Sequence, residues 1–197
     1  MKDFLINTIT RWDEPPRARH QVACALSDRY EVIFVEANRL GVPGLRRSSP
    51  KTNLTLVTPR FPVPSKLRYR IPLLNGLYQH WLFRKLNRWY GREYVAVNFD
   101  FTALHLHNYF SETVYYCNDD HVWLSSMSNP RWIASYQKKC EEIVVRSSLL
   151  CVGTSEFLTR KLQRMNPASV EIRLGAPVVP EDNLEEFRPY KNDRVIR

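Results

Sequence analysis

The sequence predicts a doubly wound α/β protein, a mostly parallel sheet flanked by helices. Short runs of β-branched and aromatic residues recur along it, among them Val32-Ile33-Phe34-Val35 and Thr113-Val114-Tyr115-Tyr116-Cys117. Continuous apolar runs of this length are what strands covered on both faces require. Stretches with apolar residues at helical spacing separate them, and such alternation implies parallel strands joined by crossovers. The chain has 197 residues, 44% of them hydrophobic and 25% charged, enough for one domain with a packed core.

In chain order, residues 4–9 read as the first strand and Arg11-Trp12-Asp13-Glu14-Pro15-Pro16 as a polar loop. Prolines suit a helix start, where N–H groups lack partners in any case. The helix is expected over residues 17–27, with Ala18, Val22, Ala25 and Leu26 facing the core. Residues 30–36 are the second strand. No Gly-x-Gly-x-x-Gly stands between the two strands, so the first loop is not a standard dinucleotide cradle. Residues 39–50 read as a basic loop, 54–58 as a third strand and 73–90 as a helix behind Pro72. Its expected buried stripe is Leu74, Leu77, Tyr78, Trp81, Leu82, Leu86 and Trp89, which leaves Phe83 exposed. Residues 94–99 and the run from Thr113 are strands, and 122–129 a loop. A helix over 130–146, a strand over 149–153 and a helix over 156–165 follow, the last capped by Thr154 or Ser155. The last strand, 170–174, ends at Gly175-Ala176-Pro177. The tail shows little periodicity until residues 194–197, which look like a strand cut short.

There are 29 Lys and Arg against 20 Asp and Glu, a formal charge of +9, which favours an anionic partner. A solubilising basic surface accounts for the charge equally well. Nucleic acid fits poorly, because no helix-turn-helix, RNA-recognition or zinc-finger pattern is present. Lys66, Arg68, Arg70, Arg84, Lys85, Arg88 and Arg92 surround Tyr69, Trp81, Phe83, Trp89 and Tyr90. That mixture suits an anionic membrane interface, or else a core helix with a solvated basic face. Cys24, Cys117, Cys140 and Cys151 have no C-x-x-C spacing and sit in apolar patterns. They read as reduced core residues, not as a disulfide framework or a metal site. Neither a signal peptide nor a membrane-spanning run is legible. The expected location is the cytoplasm, with peripheral attachment to the inner membrane face as an option.

The strand from Thr113 stops at Asn118-Asp119-Asp120-His121. Ligands of parallel sheets bind beyond the carboxyl ends of strands, so chemistry would be placed here. A structural reading is equally open, since Asp also caps helices and loops.

Five pieces, taken together, carry a family resemblance. They are His20-Gln21-Val22-Ala23-Cys24-Ala25-Leu26, Val32-Ile33-Phe34-Val35-Glu36, Val114-Tyr115-Tyr116-Cys117-Asn118-Asp119-Asp120, Leu149-Leu150-Cys151-Val152-Gly153-Thr154-Ser155 and Arg173-Leu174-Gly175-Ala176-Pro177. In this order the chain resembles the N-terminal domain of a GT-B-fold glycosyltransferase of the bacterial cell-surface polysaccharide type. The resemblance implies a Rossmann-like acceptor-side domain over residues 1–180, then a linker and the start of a C-terminal domain over 181–197. It implies a nucleoside diphosphate sugar as donor, a glycan or lipid-linked acceptor, and no resident cofactor or metal. Asp120 is the expected base, with Asp119 orienting it or capping the next element. Trp12, Asp13, Glu14, His20 and Tyr109 are expected on the acceptor side of the cleft. Thr154, Ser155 and Gly175 are expected on the donor side, and Phe83, Arg84, Lys85 and Arg88 at a membrane. Asp13 or Glu14 are alternative bases, and a retaining reaction needs none.

Two departures stand out. The family has small or Gly-rich residues where this chain has Trp12-Asp13-Glu14-Pro15-Pro16. The family's second domain, with its glutamate pair and most donor contacts, is not in the 197 residues. Alone, the chain is expected to bind acceptor or membrane and to turn over nothing. The competing readings are a non-catalytic basic α/β module that docks on a membrane or protein partner, and a sugar-nucleotide epimerase of related fold.

Overall fold

The computed structural model describes residues 2–91 and 93–173. In chain order the elements are β1 (Phe4–Asn7), α1 (Ala18–Ser27), β2 (Val32–Val35), β3 (Arg39–Leu40), β4 (Gly44–Lys51), β5 (Leu54–Phe61), α2 (Ser65–Arg68) and α3 (Pro72–Tyr90). There follow β6 (Val95–Asn98), a 3-10 turn (Leu106–Asn108), β7 (Glu112–Cys117), α4 (His121–Ser128), α5 (Arg131–Ser147), β8 (Leu150–Gly153), α6 (Glu156–Gln163) and β9 (Ser169–Glu171). The strands form one sheet in the order β3-β5-β2-β1-β6-β7-β8-β9, with β4 paired to β5 outside this path. All pairings are parallel except β4 with β5. The chain therefore winds outward from β1 through β2 and β5, then returns to the other side of β1 as β6. The winding direction reverses between β1 and β6, and a crevice opens at the carboxyl ends of strands at such a switch.

Alternation along the strands feeds two faces of the sheet. Leu5, Ile33, Val35, Val57 and Ala96 pack with Tyr78, Leu82, Phe83 and Leu86 of α3. Ile6, Val32, Phe34, Leu54 and Val97 pack on the opposite face with Ala18 and Ala23 of α1. In β7, Val114 and Tyr116 join the α1 face, while Tyr115 and Cys117 pack with Val144 and Val145 of α5 and Leu158 and Leu162 of α6. That division is the one the alternation predicts. Full burial of each large apolar side chain contributes about 1.5–3 kcal/mol, so these layers dominate the stability of the sheet.

Several expectations are corrected. Residues 39–50 are not a loop: β3 and β4 lie there, and β4 makes a hairpin with β5 through Asn53, whose φ of 61° permits the tight turn. The other side of that hairpin strand faces solvent with Arg46, Arg47, Pro50 and Lys51 exposed. Residues 122–129 are the helix α4, because Asp120 caps it. The buried stripe of α3 is Asn75, Tyr78, Gln79, Leu82, Phe83 and Leu86. Leu77 is 57% exposed and Trp89 41%, whereas Phe83 is 1% exposed and cannot touch a membrane. The cause is polar: Asn75 and Gln79 turn inward and donate to the Thr102 carbonyl, rotating the helix onto Phe83. Arg68 of the basic segment is buried too, donating to Asn75 Oδ1 at 2.6 Å and standing over the rings of Tyr69 and Tyr78. In α1, Ala25 and Cys24 are exposed, and Arg19 and His20 are buried instead. Cys117, Cys140 and Cys151 are buried as expected. Gly175, the turn that contains it and the linker over 181–197 lie outside the described residues. No described helix is long and apolar enough to cross a membrane.

Candidate functional site

The crevice between the β1 and β6 ends has a polar floor. Asn7 and Asn98 end their strands side by side, and Asn7 Nδ2 donates to Asn98 Oδ1 at 2.9 Å. Asn98 in turn accepts from the Asp100 amide at 3.0 Å. Asp100 is buried, and its Oδ1 accepts from both the amide and the hydroxyl of Thr102, at 2.8 and 2.7 Å. A carboxylate held by such donors fixes the loop after β6 beneath the site.

The loop after β1 is fixed from below. The Trp12 amide donates to the buried Glu36 carboxylate at 2.8 Å, and the Trp12 ring packs edge-on against Phe34. Glu14 accepts from the Arg11 amide at 3.1 Å, and Asp13 pairs with Arg39 at 3.7 Å on the surface. His20 accepts from the Arg17 amide at 3.1 Å through Nδ1, while its Nε2 lies 3.0 Å from the Arg11 carbonyl. Burial holds His20 neutral by lowering its pKa, against the Arg11 carbonyl, which raises it. Trp12, Glu14 and His20 thus shape the loop.

Beside His20, Arg19 is 3% exposed. Its Nε is enclosed without a hydrogen-bond partner, and no carboxylate lies at ion-pair distance among the described residues. Burial lowers its pKa most and Arg17 adds to that, whereas Glu14 and Asp119 act through space in the opposite sense. Asp119 also raises the pKa of His121, which burial nevertheless lowers overall. The His121 ring stacks on Phe101 with centroids 5.1 Å apart and planes 16° apart. Arg19, Asp119 and Asp100 thus all act through space on His121, which opens the helix after β7.

Asp120 stands at the other side of the β7 end. Its Oδ1 accepts from the Trp123 amide at 3.0 Å and from Lys161 Nζ at 2.9 Å. Capping of α4 therefore falls to Asp120 and not to Asp119, whose Oδ2 accepts from Asn118 Nδ2 at 2.6 Å. Burial raises the Asp120 pKa, but Lys161 and the Trp123 amide outweigh it and the net shift is downward. Lys161 also reaches Glu141 Oε2 at 2.6 Å, and the Tyr115 hydroxyl donates to Glu141 Oε1 at 3.1 Å. Asp120, Lys161, Glu156, Phe157, Arg160 and Arg164 line a cavity of about 460 Å³.

At the β8 end, Thr154 Oγ1 donates to the Asn118 carbonyl at 3.3 Å and Ser155 caps α6 through the Leu158 amide at 3.3 Å. A Cβ on Gly153 would lie 2.7 Å from the Thr159 amide nitrogen, so only glycine lets α6 approach β8 this closely. Tyr109 is not brought to the crevice. It precedes the start of β7, at the amino-terminal end of that strand, bonded to His80 and packed on Phe83. Arg84 and Arg88 are exposed on α3, and Lys85 lies half-buried over Trp81. Sequence reasoning missed Arg19, Asp100 and His121. The signal for Asp100 was a polar residue just past a strand run, as at Asp119. Among the described residues no group of His, Cys, Asp and Glu could hold a metal ion.

The sequence matches no protein-family model and no curated protein. Solved structures share its fold. An α,α-trehalose-phosphate synthase (UDP-forming) from Burkholderia vietnamiensis superposes with a TM-score of 0.62 at 9% identity, over 89% of this chain and 48% of that one. The trehalose-6-phosphate structure from E. coli bound with UDP-2-fluoro glucose gives 0.58 at 8% identity, over 82% and 42%. An α,α-trehalose 6-phosphate synthase from Burkholderia multivorans gives 0.55 at 8%, over 84% and 43%. The chain spans less than half the length of each. The shared architecture is one Rossmann-like unit of the GT-B type.

Proposed function

We propose, from that shared architecture, that the chain is the acceptor-side domain of a glycosyltransferase. The complete enzyme takes a sugar from a nucleoside diphosphate sugar and extends a cell-surface polysaccharide or a lipid-linked glycan. The observation that carries the reading is the sheet order of a GT-B-type unit, whose β1/β6 switch is where such a fold places ligands, with the charged Arg19, Asp100 and Asp119 in the segments that follow β1, β6 and β7. Neighbours named for UDP and UDP-2-fluoro glucose support the donor class. A linker and second domain beyond residue 180 belong to the same proposal, as does a donor-side role for Gly175.

In this reading an acceptor hydroxyl attacks the anomeric carbon, the nucleoside diphosphate leaves, and a carboxylate takes the hydroxyl proton. Asp120 is the base we assign. Its Oδ1 is anchored on Trp123 and Lys161, no described donor holds Oδ2, and its lowered pKa keeps it ionised at neutral pH. Asn can still accept from Trp123 and Lys161 but cannot take a proton. In the complete enzyme, Asp120→Asn should therefore lower nucleoside diphosphate release on the order of a hundredfold, with nearly unchanged melting. Wild-type release by a well-folded variant would remove Asp120 as base.

A second reading is favoured by one exposed ridge of α3. Leu73, Leu77, Arg84 and Arg88 follow at helical spacing on the face opposite the buried stripe. An apolar and basic ridge suits the inner, anionic face of a membrane, where the acceptor-side domain would meet a lipid-linked substrate.

A further inference from the structure

We propose that the guanidinium of Arg19 binds a phosphoryl group of the ligand that occupies the crevice. Arg19 is 3% exposed, its Nε is enclosed without a partner, and no carboxylate pairs with it among the described residues. Buried charges are otherwise paired, because an isolated ion is costly to remove from water. Arg68 Nε is enclosed without a partner too, but its Nη1 donates to Asn75 and its guanidinium stands over two tyrosine rings, contacts that Arg19 lacks. The two buried arginines therefore differ in kind: one holds the fold, the other faces a ligand.

The surroundings specify the ligand's chemistry. Arg19 is the second residue of α1, a ten-residue helix with no acidic residue in its first turn. The amides of Ala18 and Arg19 have no acceptor among the described residues. A helix start carries partial positive charge and outward N–H groups, which favour an anion. Together with the guanidinium fork they offer donors to several oxygens of one anion. A phosphoryl group has three oxygens and matches the fork. This loop has no glycine cradle, so a side chain takes over the role that backbone amides play in Gly-rich loops.

The inference rests on the transferase reading only for the ligand's identity, which could be the donor's diphosphate or a phosphate on the acceptor. Calorimetric titration of the chain with inorganic pyrophosphate, a nucleoside diphosphate, a hexose monophosphate and free hexose tests it. A phosphate-bearing probe should bind, more weakly as salt rises, and free hexose should not. Preference for the nucleoside diphosphate assigns the donor, and preference for the hexose monophosphate assigns the acceptor. Arg19→Gln should weaken binding at least tenfold while melting at or above the wild-type temperature. Arg19→Lys, which keeps the charge without the fork, should fall between. No binding by the wild-type chain, equal binding by Arg19→Gln, or a melting point lowered by several degrees would each overturn the proposal. Arg19-dependent pyrophosphate binding in a complete protein that transfers no sugar would sink the transferase reading alone.

Discussion

Lys161 holds two carboxylates at once, Asp120 at 2.9 Å and the almost fully enclosed Glu141 at 2.6 Å. Removing one partner of a buried pair leaves an uncompensated charge, so Lys161→Met should cost on the order of 3 kcal/mol in denaturant unfolding. Glu141→Gln in the same background should recover part of that loss, and a Lys161→Met variant as stable as wild type would remove the ion pair as a stabilising contact. The pH dependence follows from the shifts. The Asp120 pKa is lowered, so its contribution is present above the ordinary carboxylate value of about 4 and fades as pH falls. The Lys161 pKa is raised, mainly by Glu141 against the opposing effect of burial, so its contribution is present below about 10 and fades above. His20 and His121 are held neutral by burial, and the unfolded chain takes up their protons first below about pH 6.5. The melting temperature should therefore fall on acidification from pH 7 to 5, before the carboxylates begin to titrate.

Among the elements, α3 separates what a sequence can and cannot disclose. Its limits were legible, since Pro72 starts it and apolar spacing continues to Tyr90. Its orientation was not, because Asn75 and Gln79 are polar residues whose partner, the Thr102 carbonyl, lies in another crossover. The expected measurement is a sharp contrast: Phe83→Ala should cost about 3–5 kcal/mol, and Leu77→Ala about 0.5 kcal/mol or less. Equal costs would restore the stripe that apolar spacing alone suggests. The β7 strand was the opposite case. Its two faces followed from alternation, and Ser155 capped α6 as its position implied. Arg19 stayed hidden because its charge reads as solvated, although it stands three and seven residues before Val22 and Leu26 on the inner side of α1, where it is buried.

For the whole molecule, the sheet order follows from strands alternating with helices, but the location of the crevice does not. It needs the pairing of β1 with β6, a contact between distant parts of the chain. That pairing brings the loops of β1, β6 and β7 over one floor and leaves Tyr109 at the amino-terminal end of β7. The same orientation leaves the Leu73–Arg88 ridge of α3 facing outward. Each cation near an anionic surface contributes about 1 kcal/mol, so replacing Arg84 and Arg88 together by Gln should weaken binding to phosphatidylserine vesicles about thirtyfold at low salt. Equal binding to neutral and anionic vesicles would remove the membrane reading.

The hairpin strand β4 has a consequence for how copies of the chain meet one another. A sheet's outermost strand offers unpaired amides and carbonyls to any passing strand, and stacked sheets of many molecules grow from such borders. Here that border carries Arg46, Arg47 and Lys51, with Pro50 lacking a donor. At the opposite border of the described sheet, β9 is three residues long, too short to template much of a partner. Crowded molecules of this protein are thereby kept from knitting edge to edge, and its basic surplus adds to that colloidal stability.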